Sequence, residues 1–253
     1  MKTLIIEIKK GGLGDHLFFS HLPRIAKETG AYDKVLFSNQ SECRQPDTIE
    51  LIWKLNPWLD GFTDQRGEYY FPVNVNESKN LLDAIMLAYG LDDGLRFHEP
   101  EIYYTPNLMI NLEGTLIYDP NYISFTGKLR TGKKIEDWFK QKNIQVDYQM
   151  ANLKNRTLTI DSIDNVISTT NLFELCDLIF SCKRVYCLTT GIATLAAALG
   201  KSVTVFYGTG HDQLYRHSKL HQYEHLGTDY SIKNQLFYYL ILVLQKLIPI
   251  GKR

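Results

Sequence analysis

The sequence predicts an α/β protein of two lobes, each built on a parallel β-sheet, that face one another across a central cleft. Two strand–turn–helix stretches carry this prediction, one at the start of the chain and one over Arg184–Gly208. In each, an apolar run leads into a glycine-containing turn. The two apolar runs within Arg184–Gly208 lack polar alternation, as expected of strands buried on both faces of a parallel sheet. We expect the first lobe to span residues 1–108, the second 109–228, and a C-terminal helix to lie within 229–253.

The stretch Arg184–Gly208 has the order strand, turn, helix, strand. The apolar run Val185–Leu188 precedes the turn Thr189–Gly191, good helix formers then run to a stop at Gly200, and a second apolar strand covers Val203–Tyr207. The turn presents backbone N–H groups at a helix N-terminus, which suits phosphate. It also places two threonine hydroxyls at the carboxyl end of a strand, where open α/β sheets bind ligands. The alternative is a βαβ unit that binds no ligand.

The start of the chain repeats this arrangement. Thr3–Ile8 is predicted to be a buried strand, and the glycine-rich loop after it permits a tight turn and close approach to a ligand. One helix is predicted to begin at His16. We expect Gly12, Gly14 and His16 to contact substrate. Asp15 is either the N-cap of that helix or a catalytic carboxylate facing the cleft, and its position in the sequence favours neither.

Three charged residues of the second lobe are further candidates. A basic loop follows the predicted strand Thr115–Tyr118, and Lys128 or Lys134 in it could contact phosphate, although a solvated loop explains them equally well. Asp161 stands at the carboxyl end of a predicted strand over Thr157–Ile160. This position makes it a candidate for substrate binding.

Charge and composition exclude several classes of function. The 253 residues include 28 Lys and Arg and 28 Asp and Glu, so the basic excess usual in nucleic-acid-binding proteins is absent. The four cysteines lack a CxxC spacing, and the histidines of the predicted loop 209–228 lack an HExxH spacing, so no metal site is expected. The N-terminal apolar run is too short for a signal peptide, and we expect a cytoplasmic protein.

The C-terminal helix is apolar on all sides over Leu236–Leu244 but is too short to span a membrane. A helix of this kind is buried in protein or rests against lipid. We expect it to be buried against the lobes. The alternative is a peripheral contact with the inner membrane.

Two segments resemble bacterial glycosyltransferase family 9, the heptosyltransferases. GGLGDHLFFSHLPRIAKETG is similar to the family's opening, a G-x-x-GD loop followed by a helix containing a proline; the matching residues are Gly11, Gly14, Asp15 and Pro23. The block NLFELCDLIFSCKRVYCLTTGIATLAAALGKSVTVFYG is similar to the family's helix–strand–DTGxxHLAxALGxPxxxLFG pattern.

The resemblance implies a GT-B fold, with the nucleotide-sugar donor on the second lobe and the acceptor on the first. It also implies that the C-terminal helix within 229–253 packs back on the first lobe. Thr190 and Gly191 match the turn that holds the donor phosphates, and Asp15 matches the family's proposed base. Thr189 and Thr194 stand where the family has Asp and His, which leaves the identity of the donor sugar open.

The implied activity is inverting, metal-independent sugar transfer to a bacterial surface glycan, such as lipopolysaccharide, lipooligosaccharide or capsule. No cofactor is expected beyond the nucleotide-sugar substrate. The two threonine replacements motivate an alternative from another class, a catalytically inactive GT-B-like module that binds a nucleotide or a glycan.

Overall fold

The computed structural model describes residues 2–70, 80–122, 126–129, 131–151 and 158–228, which form two separate parallel sheets. Within these residues the first sheet has three strands in the order β1-β2-β3: β1 (Thr3–Ile6), β2 (Lys34–Ser38) and β3 (Gly61–Thr63). The second has six in the order β6-β5-β4-β7-β8-β9: β4 (Leu116–Tyr118), β5 (Tyr148–Met150), β6 (Val166–Ile167), β7 (Arg184–Leu188), β8 (Thr204–Tyr207) and β9 (Gln222–His225). The α/β class with two parallel sheets is therefore confirmed, while the boundary between 108 and 109 stays a prediction.

The helices of the described residues are short and lie between the strands. They are α1 (Leu13–Leu17), α2 (Leu22–Glu28), α3 (Pro46–Thr48, continued by a π-helical turn over Ile49–Lys54), α4 (Leu81–Ala88), α5 (Lys133–Gln141), α6 (Leu172–Ser181) and α7 (Gly191–Ala198). Two 3₁₀ turns cover Ile110–Leu112 and Gln213–Tyr215.

The helix predicted to begin at His16 is instead two helices, α1 and α2. Pro23 occupies the first turn of α2, where a missing N–H group costs nothing. The chain between the two helices closes a tighter turn, in which the Leu22 N–H donates to the carbonyl of Phe19 at 3.1 Å.

The strand order of the second sheet creates a topological switch point. From β4 the chain adds β5 and β6 on one side, then returns to add β7, β8 and β9 on the other. The loops after β4 and β7 therefore leave the sheet in opposite directions and open a crevice at their carboxyl ends. Open α/β sheets bind their ligands at such a point.

Part of the second sheet differs from the sequence prediction. The described residues of the predicted strand Thr157–Ile160, which are 158–160, form no strand. The sheet contains β5 and β6 instead, which precede and follow these residues in the chain. The predicted loop 209–228 contains β9. These strands have only two to four residues, and β9 has the polar sequence QYEH, so no apolar run marks them.

The two lobes share one hydrophobic core. A single cluster of buried side chains runs from Leu4 and Ile6 of β1 to Val185 of β7 and Val205 of β8. A second, aromatic cluster lies on the opposite face of the second sheet and includes Trp138, Tyr186 and Phe206.

Asn80 joins three parts of the chain by hydrogen bonds. Its side-chain oxygen caps α4 by accepting from the N–H of Leu82 at 2.7 Å, and its amide donates to the carbonyls of His98 at 3.0 Å and His217 at 2.7 Å. Asn80 is fully buried, and His217 belongs to the loop before β9. This side chain therefore connects the two halves of the molecule.

The predicted C-terminal helix lies outside the described residues. Among the residues that are described, no helix has the length and apolar character needed to cross a membrane.

We predict that Asn80→Ala destabilises the protein far more than the matched cap variant Asn171→Ala. Asn171 caps α6 from an exposed position and accepts from the N–H of Glu174 at 2.8 Å, so its loss should cost about 1 kcal/mol. Loss of Asn80 also leaves two buried carbonyls without a donor, which raises the expected cost to about 2–4 kcal/mol. Urea unfolding measures both values, and equal losses would contradict the proposed link between the lobes.

Candidate active site

A cleft of about 740 Å³ lies between the lobes and is lined by residues of both. Seven of the residues predicted to act in binding or catalysis line it: Gly12, Gly14, Asp15, Thr189, Thr190, Gly191 and Thr194. The remaining lining residues come mainly from the loops after β1, β2, β4 and β8 and from α6: Lys10, Leu13, Phe18, Arg44, Gln45, Asp119, Asn121, Tyr122, Leu172, Leu175, Ile192, Tyr215 and His217.

The lobes meet where α1 and α7 pack backbone against backbone. A β-carbon at Gly191 would lie 3.1 Å from the Gly14 nitrogen and 3.2 Å from the β-carbon of Leu13. A β-carbon at Gly14 would in turn lie 3.4 Å from the α-carbon of Gly191. Gly191 is thus needed for the approach of the lobes, in addition to any ligand that it contacts.

Asp15 lies on the first-lobe side of the cleft at the third position of α1. Its Oδ2 accepts from the N–H of Gly12, the N-cap residue, at 3.1 Å. Asp15 is therefore not the N-cap itself; it closes the helix start from within the first turn. Its Oδ1 accepts no hydrogen bond from the described residues, so one oxygen fixes the carboxylate and the other is available to a ligand.

Partial burial raises the pKa of Asp15 above the ordinary aspartate value. The Gly12 hydrogen bond and the nearby charges of Lys10 and Arg44 act in the opposite direction without cancelling this effect. A carboxylate with a raised pKa is a better proton acceptor than an ordinary aspartate.

The start of α7 forms the opposite wall of the cleft. Thr190 is the N-cap, but its hydroxyl makes no capping hydrogen bond, and the hydroxyls of both Thr189 and Thr190 are buried without a partner among the described residues. A helix start that its own cap residue leaves unsatisfied, beside two unpaired hydroxyls, offers several donors to an anion. The predicted phosphate site therefore lines the cleft.

Asp119 is a cleft residue that sequence reasoning missed. It follows β4 directly, and its N–H donates to the carbonyl of Tyr186 in β7 at 2.8 Å. Its Oδ1 accepts from the backbone and side-chain amides of Asn121 at 3.1 and 2.7 Å, whereas its Oδ2 is buried without a partner. Burial raises its pKa to about 6. An acidic residue immediately after the run TLIY was the signal available in the sequence.

Two cations of the cleft, Lys10 and Arg44, were also missed. Lys10 directly precedes the glycine loop, and the backbone N–H of Arg44 donates to the carbonyl of Gly11 at 2.9 Å. Arg44 comes from the loop after β2 and has no local motif, so only the folded structure brings it to the cleft.

His16 does not line the cleft, contrary to the expectation that it contacts substrate. It is fully buried, its Nδ1 accepts from the indole N–H of Trp53 at 2.9 Å, and its Nε2 donates to the carbonyl of Glu42 at 2.9 Å. Because the indole only donates and the carbonyl only accepts, these partners fix the proton on Nε2. Burial lowers its pKa to about 4. His16 therefore holds the glycine loop against the first lobe as a neutral side chain.

Lys128, Lys134 and Asp161 are also not among the residues that line the cleft. Lys134 donates to the carbonyl of Leu226 at 3.1 Å and so attaches α5 to the end of β9. Lys128 is exposed, and its backbone N–H donates to the carbonyl of Thr209 at 2.9 Å. Asp161 is exposed in a turn that continues no strand. Their expected contacts with substrate find no support in this arrangement.

No family model matches the chain, and no curated protein matches it by sequence. Solved structures do match. A glycosyl transferase family 9 structure from Veillonella parvula has a TM-score of 0.61 at 9% identity, over 99% of this chain and 91% of that one. Escherichia coli heptosyltransferase WaaC with ADP has a TM-score of 0.55 at 11% identity, over 96% and 99% of the two chains.

The iron-containing, dodecameric heptosyltransferase TibC of enterotoxigenic E. coli, in complex with ADP-D-β-D-heptose, also matches. Its TM-score is 0.62 at 13% identity, over 87% of this chain and 61% of TibC. The chain thus has the fold of family 9 glycosyltransferases, which confirms the GT-B architecture expected from the two sequence segments.

We predict that Thr189→Val leaves the free protein at least as stable as wild type but weakens binding of a nucleoside diphosphate. The Thr189 hydroxyl is buried without a partner, so its removal should raise the free energy of unfolding by up to about 1 kcal/mol. The matched control is Thr126→Val, whose buried hydroxyl donates to the carbonyl of Leu129 at 3.1 Å and whose loss should cost about 1 kcal/mol. Thermal unfolding with and without ADP, UDP and GDP measures both effects; a clear destabilisation by Thr189→Val would contradict the assignment.

Proposed function

We propose that the protein is a glycosyltransferase that moves a sugar from a nucleotide-sugar donor to a bacterial surface glycan, with inversion and without a metal ion. One observation carries the proposal. A single cleft brings the carboxylate of Asp15 from the first lobe to the start of α7 from the second, where the hydroxyls of Thr189 and Thr190 have no partner.

The second lobe is suited to hold the leaving diphosphate. The backbone N–H groups at the start of α7 and the positive end of its dipole stabilise negative charge. The threonine hydroxyls add donors, and Lys10 and Arg44 supply positive charge from the opposite wall. Donors fixed before the reaction stabilise charge as it develops on the diphosphate, which is how electrostatic catalysis works.

The first lobe is suited to activate the acceptor. In the proposed step the acceptor hydroxyl oxygen attacks the anomeric carbon from the face opposite the diphosphate, and the bond between that carbon and the phosphate oxygen breaks. The electron pair leaves with the diphosphate, and the hydroxyl proton passes to Oδ1 of Asp15. The hydrogen bond from Gly12 to Oδ2 fixes the carboxylate during this step.

The solved structures support a nucleotide-sugar donor. TibC is in complex with ADP-D-β-D-heptose and WaaC with ADP, and both share the fold of this chain. Metal independence is supported by the sequence, which has no DxD pair beside a predicted strand. The donor of this protein need not carry heptose, because Thr189 replaces the aspartate of the family turn.

A second candidate is a module that binds a nucleotide or a glycan without chemistry. The observation in its favour is that Thr189 and Thr194 replace the family's Asp and His. Thr194 is buried and donates from its hydroxyl to the carbonyl of Thr190 at 3.4 Å. In this chain its hydroxyl therefore bonds within the first turn of α7.

We predict that Asp15→Asn lowers kcat for sugar transfer by about a hundredfold or more, because the amide cannot take the proton. The amide oxygen still accepts from Gly12, so the free energy of unfolding should fall by less than about 1 kcal/mol. The matched control is Glu174→Gln, which alters an acid at the same position of α6 outside the cleft and should leave kcat unchanged.

Turnover is measured with a panel of nucleotide sugars and glycan acceptors chosen by thermal shift. A donor at a hundred times its Kd stabilises the folded state by about 2.7 kcal/mol. If Asp15→Asn transfers sugar at the wild-type rate, Asp15 is not the catalytic base. Nucleotide binding by the wild type without turnover of any donor and acceptor pair would favour the binding module.

The pH dependence of kcat/KM provides a separate prediction. The base must be ionised, so activity falls as the pH drops through the pKa of Asp15. Because burial raises that pKa, the loss should begin at a higher pH than an ordinary aspartate would give. A profile that stays flat down to the ordinary aspartate range would contradict this role.

A further inference from the structure

Asp119 combines three properties that the proposed chemistry at Asp15 and α7 leaves unexplained. It is fully buried, its Oδ2 has no hydrogen-bond partner among the described residues, and it lines the cleft. A buried carboxyl oxygen without a partner is unfavourable in a folded protein. Such a group persists when function requires it.

Asp119 lies beside the Thr189–Gly191 turn in the second sheet. Asp119 follows β4, and the Thr189–Gly191 turn follows β7, the neighbouring strand. These two strands flank the switch point of the second sheet, so Asp119 and the proposed phosphate site share one crevice. A diphosphate held at the start of α7 therefore places its attached groups near Asp119.

The chemistry of Asp119 selects the kind of group that it binds. An ionised carboxylate accepts hydrogen bonds and repels phosphate, so its partner is an uncharged donor. Hydroxyl groups are the abundant uncharged donors of a nucleotide sugar. Although burial raises the pKa of Asp119 to about 6, the carboxyl is mostly ionised near neutral pH and can accept.

Asn121 occupies Oδ1 of Asp119 and leaves only Oδ2 to accept from a hydroxyl of the donor. The backbone N–H and the side-chain amide of Asn121 both donate to Oδ1 of Asp119. The side-chain amide also donates to the carbonyl of Ala151 at 3.0 Å. Asn121 thus fixes the orientation of the carboxylate. Oδ2 is buried without a partner among the described residues, so a hydroxyl can bind there only if a side chain at the cleft surface moves.

We propose that Asp119 binds the donor by accepting hydrogen bonds at Oδ2 from hydroxyl groups of the nucleotide sugar, and so contributes to the choice of donor. This inference rests on the proposed function. The hydroxyls belong either to the transferred sugar or to the ribose, and the experiment separates these two sources.

The test compares wild type with Asp119→Asn by isothermal titration calorimetry. The probes are ADP-D-β-D-heptose, ADP-glucose, UDP-glucose and GDP-mannose, the matching nucleoside diphosphates, and their 2′-deoxy forms. Asparagine keeps an oxygen for Asn121 but presents an amide in place of Oδ2, so affinity for the bound nucleotide sugar should fall about tenfold or more.

The pattern of the loss identifies the source of the hydroxyls. A loss confined to nucleotide sugars assigns Asp119 to the transferred sugar. A loss shared with the nucleoside diphosphate, and absent for its 2′-deoxy form, assigns it to the ribose. Equal affinities of the variant and the wild type for every probe overturn the inference and leave the proposed function standing. Binding of no probe by the wild type overturns both.

Thermal unfolding of the free proteins distinguishes a binding role from a structural one. Oδ2 has no partner to lose, so Asp119→Asn should unfold at the wild-type temperature or above it. The matched control is Asp92→Asn, an exposed aspartate outside the cleft that accepts from the N–H of Gly94 at 2.9 Å in the same kind of turn. The control should bind every probe as wild type does. A lowered unfolding temperature for Asp119→Asn with unchanged affinities gives Asp119 a structural role and overturns the inference.

Discussion

The candidate site depends on the contact between two glycine backbones, Gly14 in α1 and Gly191 in α7. A side chain at Gly191 would press on Leu13 and on the backbone of Gly14, and the packed interior around them has little room to adjust. This contact brings the first turn of one helix to the first turn of the other. It therefore sets how closely the carboxylate of Asp15 approaches the N–H groups of α7.

The cleft also retains polar groups that an ordinary protein interior would pair. The hydroxyls of Thr189 and Thr190 and one oxygen of Asp119 are buried without partners among the described residues. A buried polar group without a hydrogen bond lowers the stability of a folded protein, because nothing compensates for its desolvation. Sites that bind or react commonly carry such a cost, which a ligand relieves. All three lie at the switch point of the second sheet, and this shared location indicates a ligand site.

The sequence predicted those features that long, regular patterns encode. The block around β7, α7 and β8 has unbroken apolar runs and clear stops, so its elements and the glycine turn could be located before the structure was known. The same holds for Asp15, which a local motif marks. Short strands are different. β6 has two residues and β9 is polar, so their place in the sheet follows from pairing with neighbours and not from their own composition.

The residues of the site were predictable to the extent that they belong to local motifs. Arg44 reaches the cleft only because the loop after β2 bonds to Gly11, a contact between segments far apart in the chain. His16 shows the reverse case. Its place next to Asp15 suggested a functional role, but helical geometry turns adjacent side chains in different directions. That rotation takes His16 into the interior, where Trp53 pairs with it.

The shared hydrophobic core bears on how proteins of this kind can diversify. Two lobes joined by a linker alone could be exchanged between related proteins by recombination, with the first lobe of one joined to the second lobe of another. Here apolar side chains of both sheets pack in one cluster, and Asn80 bonds across the junction. A transplanted half would meet a surface shaped for a different partner. We therefore expect new specificities in this lineage to arise by point substitution along the cleft, with recombination of whole lobes selected against.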